Sequence, residues 1–416
     1  MTYPLADPAR GLPDWLSDSL YFLPSLPERI DPLALFALLL LLGLFVGEWL
    51  QARVGWPKLI GYVLAGSIFG PSLLGWISVD TLHKIQPLAD AELGLLMLEV
   101  GRRLDPGWLW RSRELLWGTL GDSLLSFLFI FAFAHYGVGL SPAWSAATAA
   151  ITMASAPAVV LLAVEQFRAQ GQVTERIILH TAISCAASFV AFTLVLGVVH
   201  AEQNHAWLSV IAHPLWVGGS SLVVAMLAAR LALGIARLLP KSSLAQVFVL
   251  IACALLAVGV AHMVAAPVYL TLFMMGVALA VNDQRQSLRY AALPEGHWLL
   301  SIILFIVVGA SLPWSEFTWA TAAQALGLLA ARAAAKLAAP TLTNLSLPWR
   351  KRLLIGIGIQ PLSVTAVFMT HELAGLYPES GLSALTLPLF AAAIMELIGP
   401  ALCWLALRRA GECREN

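Results

Sequence analysis

The chain has 416 residues, of which 59% are hydrophobic and only 12% are charged, and 24 basic residues balance 24 acidic ones. Soluble domains carry about 25% charged residues, so the composition excludes an ordinary soluble protein and predicts an all-α membrane protein with many spans. The zero net charge argues against a nucleic-acid partner, and no cofactor motif, metal-ligand spacing or nucleophile–base pattern suggests an enzyme.

The predicted elements are thirteen membrane-spanning helices, each an apolar stretch of about 20 residues. They follow an N-terminal segment, residues 1–32, whose prolines and aromatic residues are typical of a membrane interface. In chain order the predicted spans are 33–50, 56–77, 88–102, 114–137, 142–164, 176–200, 208–236, 243–262, 265–282, 297–312, 317–342, 351–373 and 382–408.

The basic residues orient these spans. When the N-terminus is placed outside, most of the 24 lysines and arginines fall in inner loops or at inner helix ends, which is the pattern of cytoplasmic loops. The sequence therefore predicts a multi-pass protein of the cell (inner) membrane with its N-terminus outside. The short tail, residues 410–416, is predicted to be cytoplasmic.

Six spans on either side of the seventh predict two inverted repeats, an arrangement common in secondary transporters. The first repeat covers about 33–200, the second about 243–408, and the helix 208–236 links them. In addition, short motifs in the second and third spans are echoed in the ninth and tenth. The sequence therefore predicts a transporter built from two related halves.

The fifth span of each half contains a proline within a short polar stretch. Because proline lacks the backbone donor of a helix, we expect both helices to be broken, with the freed groups satisfied internally or by a ligand. Two ordinary proline kinks are the alternative. The residues expected to line the breaks are Thr152, Ser155, Pro157, Gln360, Pro361, Ser363 and Thr365.

Five motifs, taken together, resemble the cation:proton antiporter superfamily, in the second monovalent branch that includes Kef-type and related sodium/proton exchangers. They occur in the order of that family and are GYVLAGSIFGPSLLG (61–75), AELGLLMLEVGRRLDP (91–106), ASAPAVVLLAVEQFRAQG (154–171), LFIVVGASLP (304–313) and MELIGPAL (395–402). The sequence contains no counterpart of the cytosolic nucleotide-binding domain of Kef-type members.

The resemblance implies a fold in which two broken helices cross inside a core that moves against a dimerisation scaffold. It implies exchange of monovalent cations for protons by alternating access, in a homodimer embedded in the lipid bilayer. It also implies a carboxylate in the sixth span, about ten residues after an R-A-x-G stretch. Here Ser184 and Cys185 occupy that place, and neither is anionic at neutral pH.

Other intramembrane charges could replace the missing acid. Asp122, Lys336 and Cys185 all lie about 10–14 Å from the inner ends of their spans, at 1.5 Å per residue. Asp122 could pair with Lys336 at an ion site, Lys336 could carry the proton itself, or the pair could be structural. Glu396, near mid-membrane in the last span, is a second candidate for proton or cation binding.

Arg332 and His180 are predicted to have structural rather than ion-binding roles. Arg332 lies one helical turn from Lys336, and because like charges on one face repel, we expect it to extend towards the inner surface. His180 could relay protons, but its position near the inner end of its span favours an interfacial histidine.

These observations leave three hypotheses. The first is a Na⁺ or K⁺ antiporter coupled to protons, with an ion site that lacks the usual acid. The second is a relative that transports an anion, because helix N-termini attract negative charge. The third is a degenerate antiporter that acts as a membrane sensor or as a partner subunit.

Overall fold

The computed structural model describes residues 32–104, 113–204, 209–239, 243–283, 297–312, 318–377 and 382–413, with the single residues 107, 288 and 314. Nearly all of the predicted N-terminal segment lies outside these residues. Within them the chain forms fifteen α-helices, one π-helical turn and no strand, which confirms the all-α class. The helices are α1 (Pro32–Val54), α2 (Lys58–Phe69), α3 (Val79–Arg103), α4 (Arg113–Ala132, extended by the π turn Phe133–Val138), α5 (Pro142–Thr152), α6 (Pro157–Gln166), α7 (Gln172–Asn204), α8 (Ser209–Leu238), α9 (Ser243–Met263), α10 (Val268–Asn282), α11 (His297–Ala310), α12 (Trp319–Thr343), α13 (Trp349–Gly358), α14 (Thr365–Leu376) and α15 (Leu382–Arg409).

Seven of these helices are long and apolar enough to cross a membrane. They are α1, α4 with its π turn, α7, α8, α9, α12 and α15, and shorter apolar helices are α2, α6, α10 and α11. Every predicted span overlaps one helix or a pair of short helices. The multi-pass membrane protein expected from the sequence is therefore supported, while the number of thirteen spans stays a prediction.

The helix α3 differs most from its predicted span. It begins at Val79, nine residues before the predicted start, and includes Pro87. Its first turn is stabilised by Ser78, whose hydroxyl accepts a hydrogen bond from the Thr81 amide (3.1 Å), and by Asp80 beside the positive helix end. The predicted span leaves out this polar first turn because it was located from apolar residues alone.

The fifth and twelfth spans are both interrupted, as predicted. The helix α5 ends at Thr152 and α6 begins at Pro157, while α13 ends at Gly358 and α14 begins at Thr365. The two breaks contact each other: the Ala156 amide donates to the Pro361 carbonyl (2.9 Å), next to an isolated antiparallel bridge between residues 155 and 362. The interrupted helices therefore cross in the core.

Two helix pairs pack with glycines against the partner backbone. A Cβ atom on Gly66 of α2 or Gly309 of α11 would lie 2.1 or 2.2 Å from a carbonyl oxygen of the other helix. The same holds at 2.2 Å for Gly101 of α3 and Gly276 of α10. Small residues allow helix backbones this close approach in membranes, so both pairs are fixed by the same kind of contact.

The segment after α15 folds back onto the start of α7. The Glu412 carboxylate accepts hydrogen bonds from the amides of Val173 (3.0 Å) and Thr174 (2.8 Å) and from the Thr174 hydroxyl (2.7 Å). Its carbonyl also accepts from the Gln170 amide (2.9 Å). These donors belong to the first turn of a helix, where amides lack intrahelical partners, so Glu412 caps α7.

Candidate functional site

Arg332 of α12 holds the crossing of the broken helices together. Its Nε donates to the Thr152 carbonyl (2.8 Å), its Nη2 to the carbonyls of Ala154 (2.9 Å) and Pro361 (3.2 Å), and its Nη1 to the carbonyl of Gln360. These carbonyls lie at or just beyond the C-terminal ends of α5 and α13, where helical donors are missing and the dipole is negative.

The expectation that Arg332 extends to the inner surface is wrong. The side chain is fully buried, because two negative helix ends supply the counter-charge that Lys336 on the same helix cannot. The sequence carried a usable signal, since two proline-broken helices must present free carbonyls somewhere in the core.

The hydroxyl of Ser184 ties α7 to the first break. It accepts a hydrogen bond from the Ser155 amide (3.1 Å) and donates to the Thr181 carbonyl (3.2 Å). Ser155 in turn donates through its hydroxyl to the Ile359 carbonyl of the second broken helix (2.8 Å). The position that the resemblance assigns to an acid is thus occupied by a hydrogen-bonded serine.

Cys185 faces the second broken helix. Its thiol lies close to the hydroxyls of Ser363 and Thr365, and the Thr365 hydroxyl donates to Ser363 Oγ (2.7 Å). All three side chains are buried. The crossing therefore offers hydroxyls, a thiol and free carbonyls, and its one described cation is Arg332.

A separate charged cluster lies between α4, α7 and α12. Lys336 Nζ lies 3.2 and 3.5 Å from the two carboxylate oxygens of Asp122. His180 Nδ1 lies 3.8 Å from Asp122 Oδ2, which is too far for a direct hydrogen bond. All three side chains are 0% exposed, so the structure brings together the acid and the lysine that the sequence ranked at equal depth.

The interfacial interpretation of His180 is wrong. The helix α7 begins at Gln172 rather than near residue 176, so His180 lies more than two turns inside its helix, in the core. Its neighbour is the Asp122 carboxylate rather than solvent.

The helices that form the charged cluster also carry polar groups that the described residues leave unsatisfied. Both ring nitrogens of His180 and the hydroxyls of Ser126 and Thr181 are buried and have no hydrogen-bond partner among the described residues. Buried polar groups almost always have partners. The cluster can therefore coordinate or hydrogen-bond something beyond the Asp122–Lys336 pair, such as a proton carrier or a cation.

Glu396 of α15 is also buried without a partner. It is 1% exposed, and neither carboxylate oxygen accepts a hydrogen bond from the described residues. Pro400 lies four residues later in the same helix, so the Glu396 carbonyl lacks its helical donor as well. Glu396 thus has three oxygens, two in its carboxylate and one in its backbone carbonyl, that can each accept a further hydrogen bond.

A cavity of about 580 Å³ reaches the crossing from the predicted outer end. Asp90 of α3, His262 of α9, Glu372 of α14 and aromatic residues of α7, α10 and α14 line it, and it extends down to Thr365. The Tyr269 hydroxyl donates to Asp90 (2.9 Å). Neither Asp122 nor Lys336 lines this cavity, although Thr365 lies close to the thiol of Cys185, which is five residues beyond His180 on α7.

The two acids of this cavity were not among the residues predicted from the sequence. Asp90 and Glu372 lie near the outer ends of the third and twelfth predicted spans. Asp122 and Lys336 were selected by their distance from the inner ends of their predicted spans, and the outer ends were not compared. Applied to outer ends, the same comparison would have put these two carboxylates at similar height.

A family model described as sodium/hydrogen exchanger, transmembrane, matches residues 36–404 of the chain. Two structures of the sodium proton antiporter MjNhaP1 from Methanocaldococcus jannaschii resemble the fold at 16% sequence identity. The structure at pH 8 gives a TM-score of 0.66 and covers 91% of this chain and 95% of that one. The electron-microscopy structure gives 0.68 and covers 91% and 98%. This likeness confirms the predicted antiporter fold.

Proposed function

Because the chain belongs to the sodium/hydrogen exchanger transmembrane family, we propose that it exchanges a monovalent cation, Na⁺ or K⁺, for protons by alternating access. This is transport rather than enzyme chemistry. The observation that carries the proposal is the buried Asp122–Lys336 pair, with its Nζ–Oδ2 distance of 3.2 Å, next to the crossing of two broken helices. A titratable acid–base pair in the core supplies what Ser184 and Cys185 cannot.

In this mechanism Lys336 and a cation compete for the Asp122 carboxylate. When Lys336 carries a proton, the pair is neutral and needs no ion. When Lys336 releases its proton, the buried carboxylate loses its counter-charge, which is costly in a low-dielectric core. A monovalent cation then restores neutrality, with unsatisfied groups such as the Ser126 and Thr181 hydroxyls as ligands. One proton leaves for each cation bound.

The outer cavity is the proposed entrance for the cation. Asp90 and Glu372 attract positive charge at its mouth, and Thr365 at its floor adjoins the thiol and hydroxyls of the crossing. The path then runs along α7 from Cys185 to His180, about one and a half turns at 3.6 residues per turn. Hydroxyls and freed carbonyls at the breaks replace water around the ion on this path.

The proposal includes the topology predicted from the sequence. The N-terminus lies outside, the tail is cytoplasmic, and the repeats 33–200 and 243–408 flank α8. The matching glycine contacts of α2 with α11 and α3 with α10 support related halves. The homodimer that the resemblance implies is part of the proposal, since α1 and α8 expose apolar side chains that lipid or a second copy would cover.

The test is cation-dependent dequenching of a pH-sensitive dye in proteoliposomes that contain the purified protein. We expect a response to Na⁺ or K⁺ within pH 6–9 and its loss in Asp122→Asn. The matched control is Asp80→Asn, since Asp80 forms an exposed pair with Lys84 (2.6 Å) and its removal leaves the core unchanged. A full response from Asp122→Asn would contradict the assignment of the site.

The same assay separates the two other hypotheses. A proton flux that follows the anion, with N-methylglucamine as the only cation besides protons, would indicate an anion transporter. No response to Na⁺, K⁺, Li⁺ or any anion from folded, monodisperse protein would favour a sensor or partner subunit. Either result would overturn cation:proton exchange.

A further inference from the structure

The end of α8 that is predicted to face the cytoplasm exposes two arginines on one face. Arg230 and Arg237 are seven residues apart, or about 10 Å along the helix axis at 1.5 Å per residue. Both are exposed, and neither has a hydrogen-bond or ion-pair partner among the described residues. Neither takes part in the proposed exchange mechanism.

A groove of about 350 Å³ connects the two arginines between α8 and α10. Leu233, Gly234 and Asn282 complete its lining. A Cβ atom on Gly234 would meet no atom within 4 Å, so the helix surface between the guanidinium groups is open. The Asn282 side-chain nitrogen donates to the Ala278 carbonyl (2.7 Å), which fixes the amide at the other wall.

The position of Arg230 requires a counter-charge. It lies eight residues before the end of α8, about 12 Å below that end at 1.5 Å per residue. Leu227 and Leu231 on the same exposed side are 61% and 43% accessible, so the surface around Arg230 is apolar. An unpaired guanidinium at this depth is expensive, so Arg230 favours an anionic partner in the groove that it lines.

The neighbouring acid of the described chain does not supply this charge. Asp283 follows Asn282 but is buried, and its carboxylate accepts a hydrogen bond from the Leu288 amide (2.7 Å). The groove therefore presents two positive charges that the described part of the chain leaves unopposed. Guanidinium groups bind phosphate oxygens through two parallel hydrogen bonds, which makes a phosphate group the matching ligand.

We propose that this groove binds the head group of an anionic phospholipid, with its phosphate bridging Arg230 and Arg237. A lipid fits better than a free phosphate because Arg230, the arginine farther from the helix end, lies at hydrocarbon depth beside exposed leucines. A net negative lipid fits better than a zwitterionic one because no acid of the groove would meet a choline or ethanolamine. Basic grooves between spanning helices on the cytoplasmic side bind such head groups.

Native mass spectrometry of the full-length, delipidated protein tests the proposal. The probes are cardiolipin, phosphatidylglycerol and phosphatidylcholine, each added in neutral detergent. We expect tight binding of the two anionic lipids and a loss of about fivefold in affinity for each of Arg230→Gln and Arg237→Gln. The matched control is Arg53→Gln, an exposed arginine at the end of α1 outside the groove.

Melting temperatures measured with the same probes complete the design. Phosphatidylglycerol should raise the melting temperature of the wild type and of Arg53→Gln, and should raise that of Arg230→Gln/Arg237→Gln less. An equal shift in the double variant would overturn the proposal. So would an equal shift with inorganic phosphate, which would show a site for a free anion. Unshifted melting of the variants without lipid verifies that they fold.

Discussion

Two cations on consecutive turns of α12 meet opposite surroundings. The Arg332 guanidinium uses all three nitrogens on carbonyl groups of the two broken helices. Lys336 has one carboxylate, Asp122, and the ring nitrogens of His180 beside that carboxylate have no hydrogen-bond partner among the described residues. Both side chains are fully buried. The difference teaches that two equally buried cations can be held in different ways, one by several carbonyls at helix ends and the other by a single carboxylate.

Arg332 and Lys336 have different tasks in the proposed mechanism. Arg332 fixes the helix breaks because its donors replace missing backbone donors, and a guanidinium stays charged at any accessible pH. Lys336 is an amine that can release its proton, which is the property that the proposed exchange requires. The predictions below test this division, beginning with the largest effect.

Arg332→Gln should prevent the protein from folding stably. The shorter amide cannot reach both helix ends, so several buried carbonyls lose their donors, and each costs about 1–3 kcal/mol. We expect little monodisperse protein in detergent by fluorescence-detected size-exclusion chromatography. Arg53→Gln, which removes an exposed arginine, should elute like the wild type. Normal elution of Arg332→Gln with normal melting would contradict the structural role.

Removing either member of the Asp122–Lys336 pair should destabilise the fold, and removing both should cost less than the sum. Asp122→Asn or Lys336→Gln alone leaves one buried charge uncompensated, at about 3–5 kcal/mol. Free energies of unfolding from SDS titration in mixed micelles give the coupling of the cycle. Both single variants and the double variant should lack transport. Strictly additive free energies would mean that the two side chains do not act as a pair.

The sequence predicted the elements that depend on composition and spacing. Apolar stretches located the helices, and the prolines at 157 and 361 located both breaks, because each property is local. Depth along a helix also brought Asp122 and Lys336 to the same height. The rotation of a helix about its axis, however, depends on packing against distant parts of the chain. This rotation places Arg332 at the crossing instead of at the inner surface.

The wrong prediction for His180 follows from the predicted first residue of its helix. The apolar run begins near residue 176 and so predicts an interfacial His180, whereas capping by Glu412 lets α7 start at Gln172. A cap that comes from the far end of the chain leaves no signature near the helix that it stabilises. The same reason hides the Ser184–Ser155 contact, which joins residues 29 positions apart.

Glu412 extends the comparison to the acids, since its carboxylate is fully used by three donors of α7. Glu412→Gln keeps the shape but replaces one acceptor by a donor, so we expect a loss of about 1 kcal/mol, as for other helix caps. The melting temperature measures it. Glu175→Gln, an exposed acid in the same first turn, should change stability less. The transport rate per folded molecule should stay near that of the wild type.

Glu396 is the opposite case, a buried acid whose carboxylate oxygens have no described partner. Glu396→Gln keeps its size and breaks no described contact, so the melting temperature should stay within about 2 °C of the wild type. If unsatisfied acids are the functional ones, the variant should nevertheless slow cation-driven proton flux in proteoliposomes, and the flux should depend less on pH. Glu412→Gln is the natural control, because it should show the reverse pattern of lower stability and normal flux. Normal flux and pH profile in Glu396→Gln would assign Glu396 to packing and restrict the ion site to the Asp122–Lys336 cluster.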